Sequence, residues 1–289
     1  MISRPIIAFL FTCFNAQADN HCAPFQWVTD TDGSEKSAMV VRTTINGKTA
    51  DMQFDTGSDV SVFYGSEPAT ALGIALAKQP SGSITGMAPL AIGDMDFASQ
   101  TFHVMPYPPA SVAGRIGLRS LLGHIVQIDY PGQQICLLSK AQYHLSRNQI
   151  RQVPAQIRSS KLFLTTELDG HKAQRFFFDT GASLFDLLLD KAQWQKLTDR
   201  HGDEESNSRI EGWANDQLVT TIGAPLNVTL KIGDIDIHNA QAHYTRERPN
   251  YFANLPLEAD GLLGNSLFFD KKVILDLRQK RTWFGVFKD

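Results

Sequence analysis

Two aspartates stand in matching settings. Met52-Gln53-Phe54-Asp55-Thr56-Gly57-Ser58 and Phe176-Phe177-Phe178-Asp179-Thr180-Gly181-Ala182 each end an apolar run in Asp-Thr-Gly. One such tripeptide says little: at about 5% usage per residue type it arises by chance in roughly one chain in thirty of this length. Two in matching surroundings point to two carboxyl groups brought together by a duplicated unit. Paired carboxyls sharing one proton can do acid–base chemistry on water. One takes a proton from the water while the other polarises the bond under attack.

Other hydrolytic chemistries lack their residues. The eight histidines show no His-Glu-x-x-His or other ligand spacing, so no metal is expected, and no cofactor. There is no Gly-x-Ser-x-Gly elbow, and the cysteines lack a nucleophile's context. Trp194 and Trp213 read as packing residues rather than a ligand cage.

The elements that must position the aspartates recur in both halves. Val41-Arg42-Thr43-Thr44-Ile45 turns at Asn46-Gly47 and runs back to Asp55. Leu162-Phe163-Leu164-Thr165-Thr166 turns at Asp169-Gly170 and runs back to Asp179. Such dipeptides between apolar runs predict hairpins. Ala91–Phe97 and Lys231–Ile237 then share a Gly-Asp turn between alternating strands. Each half closes on an apolar-Gly segment: Leu262-Leu263-Gly264 leads to Val273, and Ile116-Gly117 leads to Val126 at the same spacing. Gly117 is therefore a better counterpart of Gly264 than Gly123 is. Arg115 then stands where the second half has Leu262. Helices are few, with candidates at 190–200, Asp190 its N-cap, and at 68–76. Residues 139–157 are polar, lack a strand period and read as a linker; 201–209 read as a charged surface loop.

This combination resembles the pepsin-like and retropepsin-like aspartic proteases, over roughly Met39 to Phe287. The resemblance implies an all-β, bilobal fold: two related barrel-like lobes, few short helices and a cleft between them. The N-terminal lobe would span 19–138 and the C-terminal lobe 158–289. It implies an aspartic endopeptidase in which Asp55 and Asp179 activate water, with a peptide or protein as substrate. Thr56 and Thr180 would bond across to the opposite lobe. Gly57 and Gly181 would let backbone approach the carboxylates. At the fourth position Ser58 has a hydroxyl to stabilise charge on Asp55, and Ala182 has none, so Asp179 is expected to hold the shared proton. Ile84, Thr85 and Gly86, within Ser81–Met87, are the flap candidate; an ordinary surface hairpin is the alternative. Arg115 either points outward or perturbs Asp55. A catalytically inactive peptide-binding module of the same fold is the alternative function.

Composition is ordinary for a globular chain of 289 residues, 43% hydrophobic, with a formal net charge of −3. That balance favours neither nucleic acid nor an anionic membrane. Arg4, the apolar run Pro5–Phe14 and Ala16-Gln17-Ala18 read as a secretory signal peptide over residues 1–18. The protein is thus expected to be exported, periplasmic or secreted, with no membrane attachment after cleavage. With both halves in one chain, a monomer is expected. Cys22 and Cys136 would remain, as a disulfide or as two buried thiols.

Overall fold

The computed structural model describes residues 21–288 except 30–32, 34, 107–109, 169, 215–216 and 279–281. The expected signal peptide lies outside the described residues, as does the Trp213 side chain.

The chain is mostly β-structure. Its first half contains β1 (His21–Val28), β2 (Ala38–Ile45), β3 (Lys48–Asp55), β4 (Ser61–Tyr64), α1 (Ser66–Ala71), β5 (Ala77–Lys78), β6 (Ile84–Ile92), β7 (Met95–Met105), β8 (Gly114–Gly117), β9 (Ile125–Asp129) and β10 (Gln134–Leu137). At the first hairpin Asn46 and Gly47 both adopt positive φ, 51° and 75°. That is the two-residue turn whose twist matches its strands. Six strands close a barrel in the order β2, β3, β8, β4, β7, β6 and back to β2.

The second half contains α2 (Lys140–Ser146), β11 (Ile150–Arg158), β12 (Lys161–Leu168), β13 (His171–Asp179), β14 (Leu187–Leu189), α3 (Lys191–Thr198), β15 (Ser208–Ala214), β16 (Gln217–Pro225), β17 (Leu230–Ile232), β18 (Ile235–Ile237), β19 (Gln241–Thr245), β20 (Gly261–Gly264), β21 (Lys272–Asp276) and β22 (Trp283–Phe287). Its pairings repeat those of the first. β12 pairs with β13, β13 runs parallel to β20, β20 pairs with β14, and β14 runs parallel to β19. The long β6–β7 hairpin is here broken in two. β16 pairs with β19, and β17, paired with β18, meets β12 as β6 meets β2.

A third sheet joins the halves in the order β1, β10, β9, β21, β22, β11. Its centre is the antiparallel pair β9–β21, so three strands from each half face one another. Cys22 lies opposite Cys136 in the β1–β10 pair, and the two form a disulfide. The segment 139–157, expected as a linker without a strand period, folds as α2 and most of β11. Ser139 caps α2 in a capping box with Gln142. β11 escapes the period-2 pattern because it is split between two partners: Ile150–Pro154 pair with β22, and Ala155–Arg158 with β12.

The strands carrying the two aspartates differ in burial. Phe54 and Ile116 in the first half and Phe178 and Leu263 in the second are all fully buried in the core. In β3 the alternation then leaves Gln53 on the outer face. In β13 Phe176, Phe177 and Phe178 are all buried, because a second apolar cluster of Phe163, Ala182, Leu188, Phe252 and Leu262 covers the outer face.

Candidate active site

Parallel pairing sets the height of each aspartate. Asp55 ends β3 opposite Gly117 of β8, and Asp179 ends β13 opposite Gly264 of β20. Gly117 is thus the counterpart of Gly264, as spacing required. The two turns meet back to back. A Cβ on Gly57 would fall on the Asp179 carboxyl group, and one on Gly181 would lie 2.7 Å from Asp55 Oδ1. Any side chain at either position would hold the carboxyls apart.

Four buried hydrogen bonds lock the turns together. Thr56 N donates to Thr180 Oγ1 at 2.9 Å, and Thr180 N to Thr56 Oγ1 at 3.0 Å. Thr180 Oγ1 donates to Phe54 O at 2.9 Å, and Thr56 Oγ1 to Phe178 O at 3.3 Å. Each threonine therefore accepts from one half and donates to it. Both side chains are fully buried, so neither water nor another partner can replace these bonds.

The carboxyls lie close enough for the charge of one to act on the other, and their surroundings differ. Asp55 Oδ1 accepts from Ser58 N at 2.9 Å. The Ser58 hydroxyl, expected to serve Asp55, donates instead to Val60 O at 2.8 Å. A serine in a turn readily bonds to neighbouring backbone in this way. Asp179 Oδ1 accepts from Gly181 N at 2.7 Å and from Gly57 N, across the interface, at 3.1 Å. Desolvation and then the charge of Asp55 push the Asp179 carboxyl up to about 7, against the Gly181 hydrogen bond and the charge of Lys161. Burial and the neighbouring charge thus favour a proton on Asp179.

Two cations flank the pair. Arg115 Nη1 lies 3.5 Å from Asp55 Oδ2, with its side chain only 17% exposed. Arg115 thus points inward to Asp55, and its Nη2 contacts Met105 Sδ at 3.8 Å. Lys161, at the start of β12, reaches across to donate from Nζ to Gly57 O and lies over the Phe177 ring at 5.6 Å.

These groups line a cavity of about 400 Å³ with walls from both halves. Gln53, Arg115, Lys161, Phe185, Tyr251 and Leu262 surround the aspartates. A second cavity of about 270 Å³ shares Gln53, Gly181, Ala182 and Phe185 with the first. The β15–β16 hairpin walls it through Ile210, Gly212, Val219 and Thr221. The flap candidate is elsewhere. Thr85 and Gly86 line a separate groove with Ala77, Met87 and His103, and Ile84 is exposed.

Three contributors escaped the sequence reading. Lys161 follows a short polar turn and carried no motif. Asn265, fully buried just after Gly264, donates from Nδ2 to Thr180 O at 3.0 Å and holds the second turn; its place after the apolar-Gly segment was the available signal. The third is β15–β16, whose approach was read only as a surface loop. That loop is anchored. Asp203 accepts from Tyr244 Oη and from Arg246 Nε (2.8 Å), and pairs with Lys191. The Tyr244 hydrogen bond leads in holding its carboxyl down at about 2. Asp190 stands at the N-cap position of α3, but its carboxylate accepts from Phe252 N and Ala253 N, fastening the segment that carries Tyr251 to the cavity.

Among the described residues no group of three or more His, Cys, Asp or Glu could hold a metal. No helix there is long and apolar enough to cross a membrane. No family model and no curated protein matches the chain.

Proposed function

We propose that this protein is an exported aspartic endopeptidase with the bilobal fold its sequence resembles, cleaving extended peptides between its halves. The observation that carries the reading is the pair of carboxyls brought together by the reciprocal threonine hydrogen bonds and the two close-approaching glycines, with burial and the charge of Asp55 favouring a proton on Asp179. Asp55, beside Arg115 and Ser58 N, is the base. It takes a proton from water as the water oxygen attacks the peptide carbonyl. Asp179 gives its proton to the carbonyl oxygen, forming a gem-diol. On collapse Asp179 recovers a proton from a diol hydroxyl, and Asp55 protonates the departing amine. The cross-interface threonine bonds hold both groups still, so little reorganisation accompanies the proton transfers. The disulfide suits an oxidising compartment, in keeping with export. One chain supplies both aspartates, so a monomer suffices.

A binding-only module of the same fold is favoured by one observation: the half-buried Arg115 guanidinium lies against Asp55 Oδ2 at 3.5 Å, where it occupies one side of the group that would act as base. A peptide-library digest separates the two. The wild type is expected to cleave between about pH 4 and 7, with a statine-type inhibitor blocking it. Asp55→Asn is expected to lose about a thousandfold or more in kcat. Peptide binding without turnover anywhere in that range selects the module.

A further inference from the structure

The two halves present opposite chemistry at one structural position. In the register of β3 with β8, Gln53 stands beside Arg115; in that of β13 with β20, Phe177 stands beside Leu262. Phe177 and Leu262 are sealed in an apolar cluster with Phe252 and Ala182. Gln53 and Arg115 both line the cavity at the aspartates, and Tyr64 Oη donates to Gln53 Oε1 at 3.2 Å, holding that amide in place. The first wall is therefore built polar from a strand position that in the second half is built to exclude water.

The charges of the cavity do not cancel in the working state. Asp59 lines it but is engaged by Arg119 at 3.0 Å. The aspartate pair holding one proton carries one negative charge. Two cations, Arg115 and Lys161, face it. A cavity enclosed by protein on both sides and carrying an excess positive charge attracts an anion more strongly than an open surface would.

We propose that this first wall selects a carboxylate on the substrate, recognised by Arg115 beside the reacting bond. Arg115 carries five N–H donors in a planar fork suited to carboxylates, so one guanidinium can bridge Asp55 and a substrate carboxylate. The inference rests on the protease reading and names its substrate class: peptides with Asp or Glu next to the scissile bond, or with a free C-terminal carboxylate at that distance. Lys161, tethered to Gly57 O, adds field rather than a specific contact.

Quenched fluorescent peptides identical except for Glu, Gln or Lys at each position flanking the cleaved bond test this at pH 6. Each is made with a free and with an amidated C-terminus. The wild-type kcat/KM is expected to favour Glu over Gln by about tenfold, the usual scale for one charge-assisted contact, with Lys poorest. If the preference follows the free terminus instead, the terminal carboxylate is the ligand. In Arg115→Leu, which installs the residue of the equivalent position, the Glu-to-Gln ratio is expected to fall to about one, whatever the absolute rate. The ratio is internal to each variant and so is insensitive to a general loss of activity. Cleavage with no charge preference, or a preference that survives Arg115→Leu, overturns the inference alone. Failure of the wild type to cleave any peptide overturns the protease reading, and this inference with it.

Discussion

The two halves agree where the carboxyls are held and differ where a substrate would lie. Both end a strand in Asp-Thr-Gly opposite the glycine of a parallel strand, and both return a threonine across the interface. Outside that shared frame the first half has a short β5–β6 pairing, while the second has the seven-pair β15–β16 hairpin. The first has Gln53 and Arg115 on its outer face; the second has Phe177 and Leu262. The lesson is physical. Two carboxyls must be fixed within a fraction of an ångström by backbone and buried hydroxyls, which tolerate no substitution. Cleft walls need only shape and charge, which diverge freely.

The sharpest way to break the comparison is at the threonines, where the halves are most alike. Thr56→Val and Thr180→Val each keep volume but strip two hydrogen bonds and leave a buried N–H of the other half unsatisfied. Each is expected to cost about 2–3 kcal/mol of stability, read by urea denaturation. The double variant is expected to cost clearly less than the sum, because both substitutions dismantle one lattice. Strict additivity would mean that the two turns are held independently, against the reciprocal geometry.

Next comes the unlike pair of hairpins. Val219 is buried and walls the cavity beside Ala182, whereas Thr85 sits in the separate groove. Val219→Trp, which fills the space, is expected to raise KM about tenfold with a smaller change in kcat. Thr85→Trp is expected to leave KM within about twofold, the behaviour of a surface position. The reverse outcome would give the first hairpin the closer approach to substrate, as the resemblance implies.

The third contrast is between the aspartates. Loss of the Asp179 proton is expected to end activity as pH rises through about 7. Lys161→Met removes a charge that lowers Asp179, so this basic limb is expected to move upward. Stability gives the same sign. Between the ordinary carboxylate range and about 7 the folded chain keeps a proton that the unfolded chain has released, so stability falls as pH rises across that window. Asp179→Asn is expected to flatten this trend in a series of Tm measurements. Asp203 acts oppositely: its carboxyl is held at about 2, so its contribution is lost only as pH falls from about 4 toward 2.

Legibility in the sequence followed the same division. Asn46-Gly47, the Gly-Asp turns and the spacing from Gly117 to Val126 announced the repeated pairings, because turns and strand alternation are local. The identity of Asp55, Asp179, Thr56 and Thr180 was equally local. β11 was not readable, since two partners on its two halves erase any single period. Nor was the role of Arg115, whose inward direction depends on its register with Gln53, or of Lys161, which acts on a turn more than a hundred residues away. The flap candidate was placed by its order in the chain alone: Thr85 and Gly86 line their own groove, while the β15–β16 hairpin of the other half contributes Ile210, Gly212, Val219 and Thr221 to the cavity beside Ala182.

The smallest expected effect is at the fourth residue of each turn, where the sequence difference looked most consequential. Ser58 differs from Ala182 by a hydroxyl, yet that hydroxyl serves Val60 O, and the donor to Asp55 is the Ser58 backbone, which any residue supplies. Ser58→Ala is therefore expected to lower stability by no more than about 1 kcal/mol, the net worth of one ordinary hydrogen bond. It should leave the acid limb of the pH–rate profile in place. Ala182→Ser, the converse exchange, puts a hydroxyl into the apolar cluster beside Leu188 and Leu262, and is expected to cost more. A Ser58→Ala variant with a displaced acid limb would show that the hydroxyl turns to Asp55 during catalysis, and the inequality of the two aspartates would then originate in the turns themselves. An unmoved limb leaves it to the surroundings: Arg115 beside Asp55 on one side, and the desolvation of Asp179 on the other.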